Sequence, residues 1–154
     1  MRRSNRPTIE AALTLMDNAD RVLAAKARVV LDHVYLQGLH DVAAACLLED
    51  GQMVVGLHVE ATQGRASICA EGAMLSQACA MGCRVLRIVS VLRRSDDNGI
   101  LQDYIIEPCG VCSELLADYC PDATVWVGDG DIPRRIAVRQ LQPFRKDRPF
   151  AATR

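Results

Sequence analysis

The sequence predicts a three-layer α/β/α domain around a mixed sheet of about five strands. Three observations carry that expectation. The candidate elements run helix, hairpin, helix, strand, strand, helix, strand. An Asp-Gly pair joins two apolar runs of strand length. A later run rich in Val, Leu and Ile reads as a buried strand. With 154 residues, half of them hydrophobic, the chain suits one domain over 1–154, with 1–7 and 145–154 as loose ends.

Residues 8–36 read as helical. Ile9, Ala12, Leu13 and Met16 share one face, and Val22, Val29, Val30 and Val34 are expected to continue it. The pair Asp17-Asn18 allows a break. Residues 42–48 form the first strand. Glu49-Asp50-Gly51-Gln52 is a hairpin turn, because Asp-Gly supplies the positive φ such turns need. Residues 53–59 return as the second strand, and 62–65 form a loop. Residues 70–81 are helical, with Gly82 as the stop. Residues 85–92 form the buried strand, 93–99 a polar turn and 101–106 a weaker strand. A helix over 109–119, a short strand over 124–127 and an extended or helical piece over 136–141 complete the chain.

Composition narrows the function. A net charge of −1 gives no argument for a nucleic acid polymer or a membrane surface as partner. Seven cysteines cannot all pair within one chain. Met1-Arg2-Arg3 is followed by no apolar stretch, so a secretory signal is not expected. No run approaches the ~18 apolar residues of a membrane span. The expectation is a cytoplasmic protein with thiols that are reduced or bound to metal.

Pro108-Cys109-Gly110-Val111-Cys112 is a C-x-x-C at the start of a helix. Alone, it fits a redox dithiol, half of a structural zinc site, or two unremarkable cysteines. Cys69-Ala70-Glu71 opens another helix. A ligand, a spacer and Glu, followed later by P-C-x-x-C, is the pattern of zinc deaminases. The chemistry explains it. A catalytic zinc takes three protein ligands and keeps one position open. Two helix N-termini supply Cys69, Cys109 and Cys112, and both dipoles favour thiolates. Glu71 is a proton carrier, not a ligand. His58-Val59-Glu60 offers a rival ligand-x-Glu register, but it sits at a strand end with no helix behind it. Cys46, Cys79, Cys83 and Cys120 read as buried structural thiols.

With those residues in view, the chain resembles the small zinc-dependent cytidine deaminases, a family that includes the blasticidin-S deaminases. The likeness runs over about residues 20–144. It is carried by Val42-Ala43-Ala44-Ala45-Cys46-Leu47-Leu48-Glu49-Asp50-Gly51, Gly56-Leu57-His58-Val59-Glu60, Cys69-Ala70-Glu71 and Pro108-Cys109-Gly110-Val111-Cys112, with Leu141-Gln142-Pro143 near the end. The resemblance implies a cytidine deaminase-like fold, one Zn2+ per chain and a small-molecule substrate. It also implies a homo-oligomer, a tetramer or else a dimer, whose sites borrow residues from neighbours. It places Glu60 as a ribose-binding glutamate and the Ala70 backbone against the substrate ring. His58 stands where the family has a ribose-binding Asn, and His40 where it has a Phe near the ring; both are expected to face substrate. Gly72 and Ser113-Glu114 replace the family's Arg and Arg-Gln, and Gly64 replaces a Tyr.

The expected reaction is hydrolysis of an aromatic C–NH2 to C=O with release of ammonia, on a cytidine-like nucleoside or a related aminated heterocycle. Glu71 acts as general base and then general acid. Three thiolates on one zinc leave the site at −1, so a nearby positive charge is needed. Arg65, on the loop leading to Cys69, is a candidate, alongside its reading as a solvated loop residue. Two other readings compete. A non-catalytic zinc-binding subunit would suit the altered pocket positions but leaves Glu71 without a use. A redox dithiol leaves Cys69-Ala70-Glu71 as coincidence.

Overall fold

The structure is a computed structural model that describes residues 6–96 and 98–146. The chain opens with two helices, not one. Thr8 caps α1 (Ile9–Leu13) by accepting from the Ala11 amide at 3.3 Å. Asp17 caps α2 (Asn18–Val34) by accepting from the Asp20 amide at 3.1 Å. Both satisfy amides that a helix start leaves unpaired. The break lies where Asp17-Asn18 allows it.

The predicted inner face of α2 is corrected. Leu23, Ala24, Ala27 and Leu31 are buried, whereas Val22, Val29 and Val34 are exposed. The break between the helices resets the helical phase, so a face read through it points the wrong way. Small alanines let α2 lie close to the sheet, a preference that counting large apolar residues does not reveal.

The strands are β1 (Val42–Leu48), β2 (Met53–Leu57), β3 (Val85–Ser95), β4 (Leu101–Ile105), β5 (Thr124–Asp129) and β6 (Ile132–Ala137). They form one sheet of order β2-β1-β3-β5-β6, with β4 paired to the far end of β3. Only the β3–β5 pairing is parallel, so the sheet is mixed. Gly51, at φ +85°, closes the expected β1–β2 hairpin.

Two expectations about strands change. The sheet has six strands, not about five, because β6 precedes and overlaps the piece read at 136–141; Val138–Leu141 is a 3-10 turn. Pro133 and two arginines hide β6 in the sequence, yet Pro is tolerated on an edge strand. The supposed polar turn at 93–99 begins as strand. Arg93 lies opposite Asp103 and donates to it twice, at 2.7 and 2.9 Å. Its charge is buried because it is paired.

Alternation along the strands divides the core. Ala43, Ala45, Val89, Val91, Ile105 and Trp126 face α1 and α2. Ala44, Cys46, Leu48, Ile88 and Val125 face α3 (Ala70–Ala80) and α4 (Gly110–Tyr119). The three layers are therefore as expected.

The ends are tied further out than expected. The Pro7 carbonyl accepts from the Ile105 amide at 3.0 Å, and Thr8 bridges to Tyr104. Arg145 is ion-paired with Glu114 and Asp118 of α4. The remainder of the two predicted loose ends, 1–5 and 147–154, lies outside the described residues. No helix among the described residues is long and apolar enough to cross a membrane.

Candidate metal centre and cavity

The centre depends on where α3 begins. A Cβ built on Gly56 of β2 would stand 2.1 Å from the Ala70 carbonyl oxygen and 2.4 Å from the Met74 amide nitrogen. Only a residue without a side chain lets the first turn of α3 lie this close to the sheet. Cys69 is the N-cap of α3, and Ala70 and Glu71 are buried in its first turn. Cys109 is the N-cap of α4, and its sulfur accepts from the Cys112 amide at 3.5 Å. Two positive helix ends thus meet at the cysteines.

The sulfurs of Cys69, Cys109 and Cys112 all lie within 4.8 Å of one another, with Cys69 and Cys109 at 3.7 Å. Among the described residues this is the one such group of three potential ligands. A tetrahedral ion with Zn–S bonds of about 2.3 Å holds its sulfurs roughly 3.8 Å apart. The spacing and the all-sulfur donor set both fit zinc. Burial raises the Cys69 and Cys112 thiols above the ordinary cysteine range, and the Glu71 carboxylate adds to the effect on both. A divalent cation is what converts such thiols to thiolates.

Beside the cluster lies a cavity of about 330 Å³. Cys69, Ala70, Glu71, Cys109 and His58 are on its wall. Glu71 is almost fully buried, and its Oε1 accepts from the Ser90 hydroxyl at 2.8 Å. His58 Nε2 lies 3.0 Å from Glu60 Oε2, while its Nδ1 is buried without a hydrogen-bond partner among the described residues. His40 and Glu60 are not on the wall. His40 Nδ1 contacts the His58 carbonyl oxygen at 3.0 Å, and Glu60 is half-exposed. In the rival register, His58 and Glu60 contact each other and, among the described residues, join no group of three potential ligands.

Arg65 is exposed on the 3-10 turn Gly64–Ala66 and is absent from the wall. The guanidinium groups there are Arg6 and Arg94. Arg94 is held at 3.2 Å by the buried carboxylate of Asp41, which also accepts from the Gly38 amide at 2.7 Å. Sequence reasoning missed Arg6, Asp41, Ser90, Arg94 and Glu107. Ser90 alone carried a signal, as a hydroxyl inside an apolar strand. Arg6, Asp41 and Arg94 depend on pairings distant in sequence. The remaining cysteines also divide. Cys46 and Cys120 are buried, and burial pushes their thiols up to about 11 and about 12. Cys79 is exposed on α3 and Cys83 half-buried beyond its end, contrary to the expected burial of both.

Comparison with known proteins decides the family. Residues 17–128 match the model of the cytidine and deoxycytidylate deaminase zinc-binding region. The chain belongs to the cytidine and deoxycytidylate deaminase family. A blasticidin-S deaminase from Bacillus cereus is 29% identical over 116 residues, covering 75% of this chain and 83% of that protein. A cytidine deaminase from Halalkalibacterium halodurans is 31% identical over 105 residues, covering 66% and 74%. The crystal structure of cytidine deaminase from Mycobacterium leprae superposes with a TM-score of 0.63 at 27% identity, covering 83% of this chain and 99% of that one. Membership of this deaminase family and the three-cysteine cluster together are consistent with one zinc ion per chain.

Proposed function

We propose that this deaminase hydrolyses an aromatic C–NH2 to C=O with release of ammonia, on a cytidine-like nucleoside or a related aminated heterocycle. The observation that carries the reading is Glu71, on the same cavity wall as Cys69 and Cys109 and buried beside the cluster. Cys69, Cys109 and Cys112 hold zinc. Zinc there supplies a Lewis acid that lowers the pKa of water from 15.7 toward ~7. Glu71 takes a proton from the attacking water and delivers it to the ring nitrogen. The water oxygen bonds to the ring carbon. Glu71 then moves the hydroxyl proton to the amine, the C–N bond breaks, and ammonia leaves. The Ala70 backbone meets the ring, and His58 faces the substituent. His40 and Glu60 act on substrate through His58, whose backbone and ring they hold.

Three thiolates carry one more negative charge than zinc neutralises. Arg65 is off the wall; with Arg94 paired to Asp41, Arg6 is the wall's candidate for the compensating charge. The same reading makes the protein a cytoplasmic homo-oligomer, a tetramer or a dimer. Ile68 and Val111, each next to a zinc ligand in sequence, are large exposed apolar residues that a second copy would cover.

The test is elemental analysis of protein purified without chelators, followed by an ammonia-release screen. The screen covers cytidine, deoxycytidine, cytosine, blasticidin S and aminated purines, pterins and azines. About one zinc per chain and turnover of at least one compound are expected. Protein without metal overturns the proposal. A zinc-replete protein inactive on the whole set transfers the reading to a non-catalytic zinc-binding subunit.

A further inference from the structure

We infer that Ser90 is a positioning residue that assigns different work to the two oxygens of Glu71; the inference rests on the reaction proposed above. Ser90 lies in the middle of β3, fully buried, between Ile88 and Leu92 on the same strand face. Ile88 packs in the core beneath α3 and α4, and Leu92 lines the cavity. An apolar side chain would suit packing in such a row. A buried hydroxyl costs stability there unless it finds a partner. Its partner is Glu71 Oε1, at 2.8 Å. Ala44 lies opposite Ser90 in the β1–β3 register. The Ser90 carbonyl also accepts from the Ile106 amide at 3.2 Å, on the segment leading to Pro108 and Cys109.

The other oxygen is different. Glu71 Oε2 accepts no hydrogen bond from the described residues, and Glu71 lines the cavity. Oε1 already accepts the Ser90 hydrogen on one of its lone pairs, which leaves Oε2 as the oxygen with the greater capacity for a proton. Oε2 is therefore assigned the transfers to and from water, ring nitrogen and amine. The Ser90 bond fixes the carboxylate so that Oε2 keeps one orientation through both transfers. Ser90 touches neither substrate nor metal. It acts through Glu71.

The test uses zinc-loaded full-length protein and the best substrate from the screen. Ser90→Ala removes the hydroxyl without adding bulk, and Ser90→Cys keeps a weaker donor. Losing a hydrogen bond to a charged group predicts a fall of roughly 10–100-fold in kcat for Ser90→Ala, less for Ser90→Cys, with KM and zinc content nearly constant. In a Glu71→Gln background, Ser90→Ala should have little further effect on the residual rate. Crystal structures of the zinc-loaded wild type and Ser90→Ala provide a readout that needs no turnover. The wild type should keep the Oγ–Oε1 contact, and the variant should show a turned carboxylate. An unmoved carboxylate in Ser90→Ala overturns the inference, as does an equal kinetic loss with and without Glu71. A wild type that deaminates nothing fails the proposed reaction instead, and the pair of structures still decides what Ser90 does to Glu71.

Discussion

Cys69, Glu71, Cys109 and Cys112 stand in the caps and first turns of two helices, whereas His40, His58 and Glu60 stand on strand ends and connecting backbone. The first group is held by the packing of helices against the sheet, with Gly56 setting the closest approach. The second is held by backbone hydrogen bonds to Leu36, Val42 and Leu39, and its side chains are linked by two contacts, His40 to the His58 carbonyl and His58 to Glu60. The contrast suits the two tasks proposed for them. Metal binding and proton transfer tolerate little displacement. Choice of substrate can rest on a few side chains whose replacement leaves the helices in place.

The largest effect should come from the metal ligands. Cys69→Ala, Cys109→Ala or Cys112→Ala should each remove zinc and take activity to background, while Cys79→Ala and Cys120→Ala should keep it. Zinc per chain is the measurement. Because burial raises the Cys69 and Cys112 thiols, zinc displaces protons on binding. Affinity should therefore weaken as pH falls. A pH-independent zinc affinity would break the link between burial and the metal.

Glu71→Gln should come next. It keeps the shape and the zinc but removes the proton carrier, so kcat should fall by ~10²–10⁴-fold. A zinc-replete Glu71→Gln protein at full activity would move the chemistry elsewhere on the wall.

This contrast also explains what the sequence made legible. The three-cysteine cluster was readable because each cysteine lies at a helix start, and helix starts are local events. Cys69-Ala70-Glu71 and Pro108-Cys109-Gly110-Val111-Cys112 state their own geometry. The hairpin around Asp50-Gly51 was readable for the same reason. Arg94 and Asp41 were not. They meet only after β3 has paired with β1 and β4, and Arg93-Arg94 taken alone looks like a polar turn. Arg6 reached the wall because Pro7 and Thr8 are tied to β4, which nothing in the first seven residues announces. The wrong face on α2 has the same origin: the phase after a break is set by the sheet, not by the helix before it.

Gly56→Ala tests the support of the metal end without touching a ligand. The added methyl meets backbone atoms of Ala70 and Met74, which cannot rotate away as a side chain would. The expected loss is about 1–3 kcal/mol of stability, read as a lower denaturant midpoint. Zinc should also bind more weakly, since α3 carries Cys69. Unchanged stability with normal zinc content would mean that α3 can withdraw from β2 without cost to the centre.

The smallest effect should separate His58 from His40. His58 lines the cavity with a buried Nδ1 that has no partner among the described residues. A ligand group is the natural partner for that atom, since an unpaired buried nitrogen is costly. If Glu60 accepts a hydrogen from Nε2, neutral His58 presents Nδ1 as an acceptor, suited to a hydroxyl or amine on the substrate. His58→Asn replaces that acceptor with a shorter group. The ratio of kcat/KM between the preferred substrate and cytidine should then shift by about 3–10-fold, the scale of one hydrogen bond, toward cytidine. His40→Phe should act in the same direction but more weakly, because His40 reaches the cavity only through the His58 carbonyl. The double variant should show less than the product of the two effects, since both operate through one ring. Equal and independent effects would place His40 in direct contact with substrate. No change in the ratio for either variant would put recognition on Arg6, Asp41 and Arg94 instead, and would leave the two histidines as parts of the strand ends that carry them.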